Sequence, residues 1–167
     1  MKNIPRDDDH ELWWLLSQAR HALSLARKRE LKQYHLSSAM SSILLAINAI
    51  GDKATPADIA RWIWRQPHSV FVNLRRMEKN GLVTLNKDLH RKNLIRVALT
   101  SKGREAYAQS LVRESIHNAM SSLSEEDRQK LRSCMYKLWD SALKEHRTNQ
   151  SWHDLQYPPP GERHESG

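Results

Sequence analysis

Apolar residues along most of this chain recur at spacings of three and four, the period of a helix with one buried stripe. Leu12, Leu16, Ala19, Leu23 and Ala26 form the first such stripe. It predicts a helix from about His10 to about Tyr34. Acidic residues (Asp7, Asp8, Asp9, Glu11) open it and basic ones (Arg27, Lys28, Arg29) lie near its end, as the helix dipole favours. A second helix is expected over about Ser38–Ile50, buried through Ile43, Leu44, Ile47 and Ile50 and stopped by Gly51. Thr55-Pro56-Ala57-Asp58 reads as a capping box with proline in the first turn. It opens a short third helix over about Pro56–Trp64, with Ile59, Ala60 and Ile63 inward. Pro67 starts a fourth helix, to about Asn80, whose buried set is Val70, Leu74 and Met77.

After Gly81 the period changes. Leu82–Asn86 and Asn93–Leu99 read as two strands, the second rich in β-branched residues. The polar link Lys87–Lys92 makes them a hairpin with a basic tip. Helix then resumes. Thr100 is a cap for one long helix over Ser101–Leu123, carrying Tyr107, Leu111, Ala119 and Leu123. Ser124-Glu125-Glu126-Asp127 caps another, to about His146, with Leu131, Met135, Leu138 and Leu143 as its stripe. From Thr148 the chain is polar and contains Pro158-Pro159-Pro160-Gly161, an extended or disordered tail in which Trp152, Leu155 and Tyr157 are the groups able to pack.

The expected fold class is therefore mainly α with a small antiparallel β-hairpin: a winged helix-turn-helix flanked by long helices. Four segments follow: an N-terminal helix (1–36), a winged module (37–103), C-terminal helices (104–147) and the tail (148–167). The outer stripes are too many for one small winged core to cover, so a two-fold dimer is expected to bury them. Leu12, Leu16, Ala19, Leu23, Leu123, Leu131, Leu138 and Trp139 are its interface candidates.

Charge sharpens this picture. The 167 residues carry a net +8. Residues 53–104 hold twelve basic and three acidic side chains, a net +9, and everything else sums to −1. One module thus has the footprint of a polyanion-binding surface. On the fourth helix and the turn before it, Arg65, Gln66, His68, Ser69, Val72, Asn73, Arg75 and Arg76 are placed to meet DNA. Lys87, Arg91 and Lys92 at the hairpin tip are placed to reach phosphates or the minor groove.

The single cysteine, Cys134, forms no internal disulfide, suits a reducing compartment and is expected to be a buried core thiol. The acidic start and the lack of an apolar run near ~18 residues point away from export or a membrane and toward a cytoplasmic protein. No phosphate loop, GxSxG, HExxH or CxxC occurs, so no enzyme and no cofactor is expected. Glu114 and His117 are the best local metal pair, too few for a site.

The sequence resembles the MarR family of bacterial transcription regulators. The resemblance is carried by Asp58-Ile59-Ala60, Val70, Leu74, Met77-Glu78-Lys79-Asn80-Gly81-Leu82-Val83, Asp88, and Val97-Ala98-Leu99-Thr100-Ser101-Lys102-Gly103. It implies a homodimer built by the outer helices, binding to a pseudo-palindromic operator, and repression relieved by a small, often aromatic, effector. It also implies an effector crevice between the outer helices and the winged module, for which Trp13, Trp14, His21, Met40, Leu44 and Tyr107 are the candidates. Two departures stand out. The family's DxRDxR tip reads Asp88, His90, Arg91 and Asn93 here, and Phe71 and Val72 replace the usual Thr or Ser and Arg of the recognition helix. The alternative to DNA binding is a winged helix that docks on another protein.

Overall fold

The computed structural model describes residues 7–88 and 94–146. Seven helices and one hairpin follow in order among them: α1 (Asp8–Gln33), α2 (Ser38–Ile50), α3 (Pro56–Trp62), α4 (Pro67–Lys79), β1 (Val83–Lys87), β2 (Ile95–Leu99), α5 (Ser101–Ser110), α6 (Glu114–Met120) and α7 (Glu125–His146). A single 3-10 turn, Gly51–Lys53, joins α2 to α3. The expected fold class is the observed one.

The core sits in the middle of the chain. Ile43, Leu44 and Ile47 of α2 meet Ile59 of α3, Val70, Leu74 and Met77 of α4, and Val83 and Val97 of the strands, all at most 3% exposed. β1 and β2 pair antiparallel with Val83 opposite Leu99 and Lys87 opposite Ile95. The Val97 N–H also donates to the Ala54 carbonyl, which ties the hairpin to the turn before α3.

Local signals act as their chemistry dictates. Asp7, Ser37, Thr55 and Thr100 each accept a backbone N–H in the first turn of the following helix. Gly81 has φ +71, and the turn it makes aims β1 back across α4. Gly103 is needed for another reason: a Cβ there would lie 1.9 Å from the Leu82 carbonyl oxygen. Helix α5 starts in direct contact with the turn that ends α4. The Thr100 hydroxyl donates to the Gly81 carbonyl at 2.6 Å, and the Lys102 ammonium donates to Asn80 at 3.0 Å.

Four expectations need correction. The helix expected over Ser101–Leu123 is two helices, α5 and α6, broken at Leu111–Arg113. The Arg27 guanidinium, reaching across from α1, takes the Ser110 and Val112 carbonyls and so satisfies the end of α5 from outside. The third helix ends at Trp62, two residues early, because Trp64 turns left-handed (φ 55) and packs edge-on against Trp139 of α7 at 5.0 Å. β1 begins one residue late, at Val83, and runs to Lys87, and β2 begins two residues late, at Ile95; Asn93 lies outside the described residues. Cys134 is exposed, because α7 projects from the module and every residue from Gln129 to Ala142 is exposed.

Candidate nucleic-acid interface

Helix α4 has two faces. Val70, Leu74 and Met77 are fully buried, and Gln66, His68, Ser69, Val72, Arg75 and Arg76 are exposed. Asn73 is half-buried, with its amide donating to the Ser69 carbonyl at 2.8 Å. Phe71 is half-buried, and the Arg75 guanidinium lies over its ring, 5.1 Å from the centroid. Val72 is 55% exposed, an apolar group on an otherwise polar face. Proline at the first helical position leaves the start of α4 open toward solvent.

The basic residues divide by what holds them. Arg61 pairs with Asp58, Arg75 with Glu78 at 3.0 Å, and Arg96 with Asp88 at 2.7 Å. Arg96 also donates to the Lys53 carbonyl at 2.7 Å, so it braces the base of the hairpin. Arg104 donates to the Leu99 carbonyl at 3.0 Å. Lys53, Arg65, Arg76, Lys79 and Lys87 have no ion pair among the described residues, and all are exposed. These are the cations available to a polyanion. Arg91 and Lys92 lie outside the described residues.

Glu78 links the exposed helix to the hairpin. One carboxylate oxygen accepts from Arg75 and the other accepts the Leu85 N–H of β1 at 3.2 Å. With Arg96–Asp88, it fixes β1 and β2 relative to α4. From sequence, Arg75 is a candidate DNA contact and Arg96 one cation of the basic block; neither brace is expected there. The signal was present, since Glu78 and Asp88 are two of only three acids in the basic block.

A cavity of about 450 Å³ lies between the α1–α2 joint, the end of α4 and α5. Leu36, Met40, Leu82 and Ala106 give it an apolar floor, and Tyr34, His35, Lys102 and Glu105 a polar rim. Of the six residues expected to line an effector crevice, Met40 lines this cavity. Leu44 is fully buried in the core, and Tyr107 is half-buried and accepts a hydrogen bond from Asn48 at 3.1 Å. Trp13, Trp14 and His21 are exposed on α1. The structure does not bring the six together. No group of three or more His, Cys, Asp or Glu gathers as metal ligands among the described residues, and no helix of these residues is long and apolar enough to cross a membrane.

The interface candidates outside the module are also solvent-facing in the single chain. Leu12 is 61% exposed, Leu138 53% and Trp139 46%. Ala19 and Leu131 are exposed too, and Leu16, Leu23 and Leu123 are half-buried.

No protein-family model and no curated protein matches the chain. Solved structures do. An organohalide-sensing transcriptional regulator, RdhR, in its 2,4-dichlorophenol-bound form is 31% identical, with 89% of this chain and 88% of that chain covered and a TM-score of 0.79. Its ligand-free form is 33% identical over 83% of both chains, TM-score 0.76. At lower identity the fold alone is shared. A MarR-like regulator from Bacillus cereus is 20% identical over 81% of this chain and 98% of that one, TM-score 0.73. Identity of 31–33% over more than four-fifths of both chains, with the same order of elements, places the chain in the MarR family of transcriptional regulators.

Proposed function

We propose that this protein is a homodimeric, cytoplasmic DNA-binding repressor that reads a pseudo-palindromic operator and is released by a small aromatic effector. The two-faced α4 carries the reading: one side is locked in the core, while the other presents Gln66, His68, Ser69, Val72 and Arg76 to solvent. Such a helix fits a major groove about 12 Å wide. Gln66, His68, Ser69 and Asn73 are the candidates for base edges, with Val72 suited to a thymine methyl. Arg65, Arg76, Lys79 and Lys87 supply phosphate contacts, and Arg91 and Lys92, between the two strands in sequence, are further candidates for them. Arg75 acts mainly by holding Glu78.

Dimerisation is supported by the apolar surface left outside the winged core. Leu12, Trp13, Trp14 and Leu15 on α1 are all more than half exposed, and Leu131, Met135, Leu138 and Trp139 on α7 are 39–53% exposed. Contiguous apolar surface of this kind marks an interaction site. In a two-fold dimer it also spaces the two α4 helices for half-sites about 34 Å apart. The domain division is 1–36 and 104–147 for dimer contacts, 37–103 for DNA, and 148–167 as a tail.

The effector reading is supported by the cavity at the α1–α2 joint. Its size falls in the range of roughly 300–1,000 Å³ typical for small-molecule sites, and its floor is apolar. One solved relative is an organohalide sensor bound to 2,4-dichlorophenol. An acidic effector drawing Lys102 off the Asn80 carbonyl would loosen the end of α4. The test is selection of bound duplexes from a random library, followed by fluorescence anisotropy. Enrichment of an inverted repeat with half-sites about one turn apart is expected. Binding without any enriched repeat would overturn the reading and favour the protein-docking alternative.

A further inference from the structure

Glu30 is a carboxylate in the wrong place for a simple helix. It lies on the buried side of α1, 9% exposed, next to core residue Leu31. Its oxygens accept from the Ser115 hydroxyl at 2.6 Å and from the Ser115 N–H at 3.3 Å, both on α6. One also accepts from Arg27, one turn earlier on α1, at 2.6 Å. Arg27 in turn donates to the Ser110 and Val112 carbonyls that end α5. Two side chains of α1 thus seize both sides of the α5–α6 elbow. Burial by itself would raise the Glu30 carboxyl, but the Ser115 bonds and the Arg27 charge outweigh it and hold it down at about 2.

Buried ion pairs of this kind add little net stability over apolar side chains of similar size. What they add is direction, because each bond has a preferred geometry. Direction matters here because α1 is a lever. From Glu30 to Leu12 is eighteen residues, about 27 Å of helix. The buried end belongs to the winged core, and the far end carries the unpartnered Leu12–Leu15 segment. A tilt of about 10° at the elbow moves one end relative to the other by ~5 Å, more than the 3.4 Å step between base pairs.

We propose that the Arg27–Glu30–Ser115 clasp is a positioning device that sets the half-site spacing the dimer accepts. The proposal rests on the dimeric DNA-binding reading above. Its residues touch no DNA; they fix α1 on the α5–α6 elbow, and because α5 packs on α2 and β2 of the winged module, they set the angle between α1 and that module and so the distance between the two α4 helices.

The test pairs two measurements on the full chain. The first uses the duplexes selected by the unaltered protein, re-spaced by one or two base pairs. Arg27→Met/Glu30→Leu removes both charges together, so no buried charge is stranded. The double variant is expected to stay dimeric in sedimentation, to lose at least tenfold in affinity for the native spacing, and to show a flattened preference among spacings. Ser115→Ala, the milder change, is expected to give about a threefold loss with the same flattening. It decides the matter if the double variant does not fold. Unchanged spacing preference in a folded variant overturns the proposal.

The second measurement needs no DNA. Spin labels at Gln18→Cys and Lys79→Cys, in a Cys134→Ser background diluted with unlabelled chain, report the α1–α4 distance within one subunit. The clasp variants are expected to broaden that distance distribution at least twofold, and an unchanged width overturns the positioning role. If the unaltered protein binds no duplex, the DNA reading fails, yet the label distances still decide whether the clasp sets the angle.

Discussion

The winged centre and the outer helices of this protein are held by opposite kinds of contact. In the centre, α2 to β2 close on themselves: the large apolar side chains are buried, and backbone groups are tied by Thr100, Lys102, Glu78 and Arg96. In α7 and the first half of α1, the large apolar side chains face outward. Among the described residues, α7 is joined to the rest by few links, such as Arg128 to the Met120 carbonyl at 3.1 Å and Trp139 against Trp64. The first region buries its apolar side chains within one chain, and the second leaves its own exposed. Stability and assembly should therefore separate under mutation.

The largest expected effect is in the centre. Gly103→Ala drives a Cβ into the Leu82 backbone carbonyl, which has no flexible end to yield. A loss on the order of 3 kcal/mol or more is expected from such overpacking, and DNA binding should go with it. Gly81→Ala has open space around the new methyl and costs only its left-handed φ, about 1 kcal/mol. Urea unfolding of the two variants measures the difference. Equal losses would mean that a small shift of the chain relieves the close approach at Gly103.

Next comes assembly. Leu12→Asp/Leu15→Asp places two carboxylates on the exposed apolar segment of α1, which makes no core contact in the single chain. The expected outcome is loss of the dimer in sedimentation and at least tenfold weaker operator binding. The unfolding midpoint of a dilute, monomeric sample should barely move. A fall in the winged module's own stability would contradict the separation of the two regions.

Much of the centre was legible in sequence because its determinants are local. The stripes of α2 and α4, the Thr55 cap and the Gly81 stop are fixed by spacings of three and four or by a single turn residue. What sequence concealed depends on contacts between distant residues. The break between α5 and α6 comes from Arg27, more than eighty residues away. The exposure of Cys134 could not be seen because an amphipathic stripe gives a face but not what covers it. Arg75, a candidate DNA contact, and Arg96, one cation of the basic block, are identical to Arg65 and Arg76 as charges. Only their carboxylate partners distinguish them.

The seam between the regions is predicted to respond to acid. The Glu30 carboxyl, ordinarily near 4.5, is held at about 2 when folded. A depressed value means that the folded state keeps the charge longer than the unfolded chain. The clasp's contribution is thus fully present above about pH 4.5 and drains away as pH falls toward 2. Glu30→Gln lacks this contribution throughout, so its stability and that of the unaltered chain should converge between pH 5 and pH 2. A gap that stays constant across that range would show that the carboxylate charge is not what joins α1 to α6.

The smallest effect probes the centre's charge, and it separates two arginines that composition treats alike. Arg76 is exposed and has no ion pair among the described residues, so on DNA it is expected to displace condensed counterions. Arg76→Ala should then lower the slope of log affinity against log salt by about 1. Arg96 is already committed to Asp88 and the Lys53 carbonyl. Arg96→Met should weaken binding by loosening the base of the hairpin, a loss of similar size at all salt concentrations, and leave the slope nearly unchanged. Anisotropy titrations from 50 to 300 mM salt, on the order of the range where such slopes are resolved, compare the two. If both variants lower the slope equally, Arg96 leaves its carboxylate to meet phosphate, and the hairpin is less firmly braced than its resting geometry implies.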